Sequence, residues 1–319
     1  MNEVKEFPVL FGTNGSLIGM ISTPAGGHVE PVACIFYNMG GNHRVGPRRI
    51  NVKLARQLAQ SGVSSIRFDL AGLGDSGPAT GSMTFMAQAI VDVRAAMDQV
   101  QESLGIQRFI LMGLCSGAPS SLEATVVDPR VVGLLQFDGY AFPGRRARWE
   151  RALRRALSVP TNPIMILKTV RWIKRKLSGP GALEGEIFTT GTLEDKAKVF
   201  VDCMNVVAER NIPALLLYTG TLNSVDRHLD QLGPFANEKF AKHAEYVFVG
   251  EMDHSLTSQA TQRTFLKIVG DWTLRTVHGR TATAPKPVLK SESSPSGFGA
   301  LTSTSKPKRT APRAMATSL

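Results

Sequence analysis

Short apolar and β-branched runs alternate with helix-period stretches along most of this chain. The runs Val32–Tyr37, Ser64–Phe68, Phe109–Met112, Val131–Leu135, Ala214–Tyr218 and Tyr246–Val249 are mostly continuous in hydrophobicity. Strands buried on both faces of a parallel sheet read this way, whereas half-exposed strands alternate. Between the runs, 49–60, 86–104 and 257–277 carry apolar residues at helical spacing. This alternation predicts an α/β fold with a mostly parallel, doubly wound sheet. The opening segment Phe7–Ile21, with Asn14-Gly15 at its centre, predicts an antiparallel hairpin on the sheet edge.

One interval breaks the alternation. Roughly seventy residues separate the strand ending near Phe137 from the one starting at Ala214, too many for a simple connection inside a compact domain. The interval reads as an inserted helical cap. After His278 the chain is Ser, Thr, Ala, Pro, Gly and Lys with few large apolar residues, the composition of a disordered tail. The expected organisation is a core in two parts, 1–140 and 211–278, a basic cap at 141–210, and a tail at 279–319.

Composition narrows the class. With 319 residues, 43% of them hydrophobic, the chain has material for one large core plus an insertion. The first residues, Met1-Asn2-Glu3-Val4-Lys5-Glu6, lead into no apolar signal region, and no run approaches a membrane span. Three cysteines, Cys34, Cys115 and Cys203, do not suggest a disulfide framework, so a reducing cytoplasm is expected. The net charge of +11 is unevenly placed. From Gly144 to Lys176 eleven basic residues face only Glu150, and from Gly279 to Leu319 seven face only Glu292. These two segments hold the whole excess, leaving the rest mildly acidic.

The pentapeptide Gly113-Leu114-Cys115-Ser116-Gly117 carries the chemistry. It follows a strand run and precedes Ala118-Pro119-Ser120-Ser121-Leu122-Glu123-Ala124, a helix-compatible stretch. Strand, tight glycine-flanked turn and helix make the context of a nucleophile elbow. Its central residue is Cys115, at a helix N-terminus that favours a thiolate. An inert buried cysteine is the competing reading. After Tyr37 comes Asn38-Met39-Gly40-Gly41-Asn42-His43-Arg44-Val45-Gly46-Pro47-Arg48-Arg49, whose glycines let a backbone N–H, that of Gly40, point at a developing oxyanion. The N–H of Ser116 is the expected second donor. Asp253-His254, in the loop after the strand Tyr246–Val249, makes His254 the expected base. Three positions compete for the acid: Asp226 as first choice, then Asn223, three residues after Gly220, then Asp138 at the end of an earlier strand. An asparagine is chemically workable beside a thiol, because the imidazole there needs orientation more than charge.

The loop 38–49, the segment Arg67-Phe68-Asp69-Leu70-Ala71-Gly72-Leu73-Gly74-Asp75-Ser76-Gly77, the elbow and Asp253-His254 together resemble the α/β-hydrolase superfamily. Within it the chain resembles the serine aminopeptidase or monoacylglycerol-lipase-like branch, and more closely the bacterial hydrolases of exosortase and exopolysaccharide loci. The resemblance spans about residues 5–275 and implies the fold, not the substrate. Cysteine stands where that superfamily usually has serine, as in dienelactone hydrolases.

The expected reaction is acyl transfer on an ester or thioester through Cys115, His254 and an acid, with a thioacyl-enzyme between the two halves. An acyltransferase drawing on a thioester, and a non-catalytic binding scaffold of the same fold, are the alternatives. No cofactor or metal is expected. The basic cap implies an anionic partner, with coenzyme A, a carrier protein or a lipid head group as candidates. The stretch Ile164–Leu177 mixes Trp172 and aliphatic residues with Lys and Arg, which suits peripheral contact with the inner face of an anionic membrane. No recognised nucleic-acid module accompanies the charge, so nucleic acid is not an expected partner.

Overall fold

The computed structural model of the chain describes residues 3–79, 81–146, 149–150, 153, 192–221 and 226–279. Eight strands form one sheet: β1 (Val4–Phe11), β2 (Leu17–Pro24), β3 (Ala33–Phe36), β4 (Ser64–Phe68), β5 (Phe109–Leu114), β6 (Val131–Phe137), β7 (Ala214–Thr219) and β8 (Glu245–Val249). Their order is β1-β2-β4-β3-β5-β6-β7-β8. The two N-terminal strands make an antiparallel hairpin whose β2 joins β4, and every later pairing is parallel. The hairpin turns through Asn14 (φ 56°) and Gly15 (φ 66°), a left-handed pair that Asn and Gly adopt readily.

Helices cover both faces. On one side α1 (Ile50–Gln60) and the last helix, Gln259–Val277, bury Ile50, Leu54, Leu58, Phe265, Val269 and Trp272 against Cys34, Phe36, Ile110, Met112, Leu135 and Leu217. On the other, α2 (Phe85–Leu104) and α3 (Gly117–Val127) pack against Ile35, Tyr37, Leu111, Leu134, Leu216 and Tyr218. Alternate residues of each central strand thus feed opposite cores, which is why these strands read as unbroken apolar runs.

Part of the interval read as a cap is described. Residues Leu193–Glu209 form α4, opened by a capping box in which Thr192 and Asp195 bond each other's backbone N–H. It packs beside α3 and buries Phe200, Met204 and Val207, with the Phe200 ring 5.0 Å from Tyr140 and 5.4 Å from Phe240. This stretch therefore lies in the helical layer that links β6 to β7. The basic stretch Ile164–Leu177, most of the cap and all of the tail after Gly279 lie outside the described residues. Among the described residues the remaining α-helices are α5 (Lys239–His243) and α6 (Gln259–Val277). Among the described residues no helix is long and apolar enough to cross a membrane.

Candidate active site

The strand order reverses between β3 and β5, which lie side by side although the chain leaves them in opposite directions. Loops diverge at such a switch point and open a crevice at the carboxyl ends of the strands. The loop after β3 and the elbow after β5 both fall there. Cys115 has φ 53°, the left-handed conformation that a sharp strand-to-helix turn imposes. Its glycine neighbours are required by space. A Cβ on Gly113 would lie 2.0 Å from Ser121 Oγ and 2.8 Å from the Ala118 Cα, and one on Gly117 would lie 3.0 Å from the Tyr37 ring. The Tyr37 hydroxyl donates to the Gly117 carbonyl at 2.6 Å and so fastens the start of α3 to β3.

His254 follows β8, near enough to Cys115 for the thiol to act on its imidazole. Its ring stacks parallel to Phe137 at 6.1 Å, and its backbone N–H donates to Thr221 Oγ1 at 2.8 Å. On the far side, His254 Nδ1 lies 2.8 Å from Asp138 Oδ2. Asp138 is buried, with φ 44°, directly after β6. Its carboxylate also accepts from the Thr219 N–H at 2.8 Å and the Thr219 hydroxyl at 2.6 Å. Sequence reasoning missed Thr219, because nothing in its spacing separates it from any other strand-ending threonine.

The geometry sets Asp138, the third choice, and not Asp226 against the imidazole. Asp226, the first choice, accepts from the Tyr246 hydroxyl and, at 3.3 Å, from the Asp230 N–H, whereas the imidazole of His254 is engaged by Asp138. Burial raises the Asp226 carboxyl above its ordinary range, and the Tyr246 bond works against that rise. Asp226 therefore serves the base of its own loop. Asn223 lies outside the described residues.

The oxyanion loop departs from expectation in one contact. The Gly40 N–H, with Gly40 at φ 58°, donates to Ser116 Oγ at 2.6 Å. The Ser116 N–H stands at the start of α3, where backbone donors have no intrahelical acceptor. Behind the loop sits Asp69, fully buried. It accepts from Asn38 Nδ2 at 2.8 Å, from the Arg44 N–H at 2.6 Å and from the Arg44 guanidinium, while Asn38 Oδ1 accepts from the Leu70 N–H at 2.7 Å. This network ties the loop after β3 to the loop after β4, and explains Gly74. A Cβ on Gly74 would fall 2.3 Å from the Asp69 carboxyl carbon. His43, Asp69 and Asp75 converge as metal-ligand types do, but Arg44 already bridges both carboxylates.

The electrostatics mark the imidazole and two of the three thiols. The Asp138 bond first, and the neighbouring Cys115 second, raise His254 from 6.5 to about 10 against the opposing effect of burial. The imidazole thus keeps its proton at neutral pH beside Cys115. Burial pushes the Cys34 thiol far up, and burial with Glu123 and Asp202 raises Cys203 to about 11. A cavity of about 570 Å³ opens among residues that follow Asp138, lined by Phe142, Pro143, Leu193, Ala197, Pro234 and Phe235.

Comparison with known proteins agrees with this fold. Residues 43–256 match the family model described as serine aminopeptidase, S33. No curated protein matches the chain. Among solved structures, Est1E from Butyrivibrio proteoclasticus, with ferulic acid bound, superposes with a TM-score of 0.52 at 15% identity over 82% of this chain and 96% of its own. The esterase domain of a Rhodothermus marinus protein gives 0.51 at 15% identity, covering 86% of this chain and 100% of the domain. A single-residue variant of the haloalkane dehalogenase DatA from Agrobacterium tumefaciens gives 0.51 at 16%, covering 85% and 97%. Two chemistries at equal similarity mean that these likenesses speak for the fold alone.

Proposed function

Because the chain belongs to the serine aminopeptidase S33 family of α/β-hydrolases, and is accordingly a hydrolase, we propose that it cleaves an ester or thioester through a thioacyl-enzyme on Cys115. The observation that carries this reading is the meeting of His254 and Asp138, Nδ1 to Oδ2 at 2.8 Å, beside the elbow that presents Cys115. The Cys115 sulfur attacks the acyl carbonyl, and the C=O electron pair moves onto oxygen. The thiol proton is held by the ring nitrogen of His254 that faces Cys115, while Asp138 fixes the other nitrogen and stabilises the imidazolium. As the intermediate collapses, the bond to the alcohol or thiol breaks and the leaving group takes that proton. Water, deprotonated by the same imidazole, then releases the acid and regenerates the thiol.

Cysteine in the serine position favours this substrate class. Exchange of a thiol with a thioester is nearly thermoneutral, whereas an amide nitrogen is a much poorer leaving group. The apolar cavity lined by Phe142, Leu193 and Phe235 lies in the size range of small-ligand pockets. The basic stretch Gly144–Lys176 suits an anionic carrier for that group, such as coenzyme A, an acyl carrier or a lipid head group.

Initial rates on matched thioester, oxoester and anilide substrates test the reading. Thioester or oxoester turnover that Cys115→Ala abolishes is expected. Preference for the anilide, or hydrolysis that survives in Cys115→Ala, would overturn it.

A further inference from the structure

The Gly40 N–H is the donor expected to meet the oxyanion, yet it is already committed to Ser116 Oγ at 2.6 Å. Among the described residues this is the one hydrogen bond that the Ser116 side chain makes. Serine at the start of a helix ordinarily turns its oxygen to accept from the first-turn N–H groups. Here it does not: Ser116 has helical angles, φ −65° and ψ −17°, and its side chain makes no capping bond. The hydroxyl accepts from Gly40, so its own proton remains available.

We propose that the Ser116 hydroxyl is an oxyanion donor, polarised from behind by the Gly40 N–H and working beside the Ser116 backbone N–H. The proposal rests on acyl transfer at Cys115 and makes Ser116 a catalytic residue of that reaction. Three observations converge on it. Ser116 is next to Cys115 in the chain, and both side chains are partly exposed at the elbow. The Gly40 loop is held from behind by Asp69 through Asn38 and Arg44, so its N–H is a fixed donor. A hydroxyl that accepts one bond becomes a better donor of the next, so the series Gly40 N–H to Ser116 O–H to oxyanion strengthens as negative charge develops. One residue then supplies both donors, and the glycine loop acts one bond removed.

Ser116→Ala separates this role from a structural one, because it removes no helix cap and only one hydrogen bond, from Gly40 at the partly exposed elbow, so its melting temperature should fall only slightly. Rapid-quench mass spectrometry measures acylation of Cys115 by an oxoester and by its thionoester, whose sulfur accepts hydrogen bonds poorly. The parent should acylate. Ser116→Ala should slow oxoester acylation by about 10²- to 10³-fold at little change in KM, the effect of losing one oxyanion donor. Its oxo-to-thiono rate ratio should fall in the same measure, and Ser116→Thr, which keeps the hydroxyl, should restore most of both. Acylation in Ser116→Ala as fast as in the parent would overturn the proposal. So would a slower rate with an unchanged oxo-to-thiono ratio, since that marks an anchor for the Gly40 loop and not a donor. A parent that never acylates would overturn the acyl-transfer reading itself, and this proposal with it.

Discussion

His254 and Asp138 meet at 2.8 Å although the strands that deliver them are not neighbours in the sheet. Asp138 leaves β6, His254 follows β8, and β7 lies between. Thr219, at the end of β7, closes the gap by giving both its N–H and its hydroxyl to the Asp138 carboxylate. The left-handed backbone of Asp138 turns that carboxylate back across β7. The carboxylate that meets the imidazole thus comes one strand earlier than the first choice from sequence, and a threonine of the intervening strand holds it.

The first expectation concerns that acid. Asp138→Asn should slow turnover by about 10²- to 10⁴-fold, because an amide does not stabilise the imidazolium or fix its tautomer. The fold should persist, since asparagine tolerates a positive φ. Asp226→Asn should leave the chemical step within a few-fold of the parent and act instead on stability, through its bond to Tyr246. Steady-state kinetics beside thermal melts of the two variants decide the assignment, and the reverse pattern would restore Asp226.

Thiol reactivity should be confined to one residue. Cys34 is fully buried and Cys203 is raised to about 11, so neither competes at neutral pH. Limited iodoacetamide treatment followed by peptide mapping should find the label on Cys115, and His254→Ala should slow its uptake. Earlier labelling of Cys203 would remove the case for Cys115 as nucleophile.

The pair His254–Asp138 should leave a signature in stability against pH. Folding raises the imidazole from 6.5 to about 10, through Asp138 first and Cys115 second. Below 6.5 the imidazole is protonated folded or unfolded, and the contribution of the pair is fully present. It is lost as pH rises through about 10, where the folded protein also gives up the proton. Denaturant midpoints should therefore separate the parent from His254→Gln most in mildly acidic solution, and the gap should narrow towards pH 10. A constant gap would mean that the imidazole is neutral throughout.

Gly74→Ala should damage the site from a distance. The new Cβ would lie 2.3 Å from the Asp69 carboxyl carbon, at a backbone φ of 54° that suits glycine. Overpacking of this kind destabilises by about 1–3 kcal/mol. Because Asp69 holds Asn38 and the Arg44 N–H, the acylation rate should fall together with the melting temperature. Loss of stability with full activity would show that the oxyanion loop does not depend on Asp69.

Much of the architecture was legible because burial on both faces leaves an unmistakable mark. Ile35 and Phe36 feed opposite cores, so the run that contains them has no polar alternation. The elbow was legible for a different reason: its turn leaves no room for a Cβ at Gly113 and only tight contacts for one at Gly117. The acid was not legible. Asp138 and Asp226 both follow strands, and only the tertiary path of β7, with Thr219 at its end, decides which carboxylate reaches the imidazole. Gly40 stands in the loop after β3, beside the elbow, but the partner of its N–H is a side chain whose rotamer no spacing records.

The most direct test is whether acyl groups become bound to Cys115. The protein is mixed with an excess of thioester, quenched in acid within the first turnover, digested and mapped by mass spectrometry. An acyl mass on the peptide that carries Cys115, absent from Cys115→Ala and reduced in Asp138→Asn but not in Asp226→Asn, is the expected result. Product formation with no acyl mass on Cys115 at any quench time, or an acyl mass on another residue, would contradict nucleophilic catalysis by this cysteine.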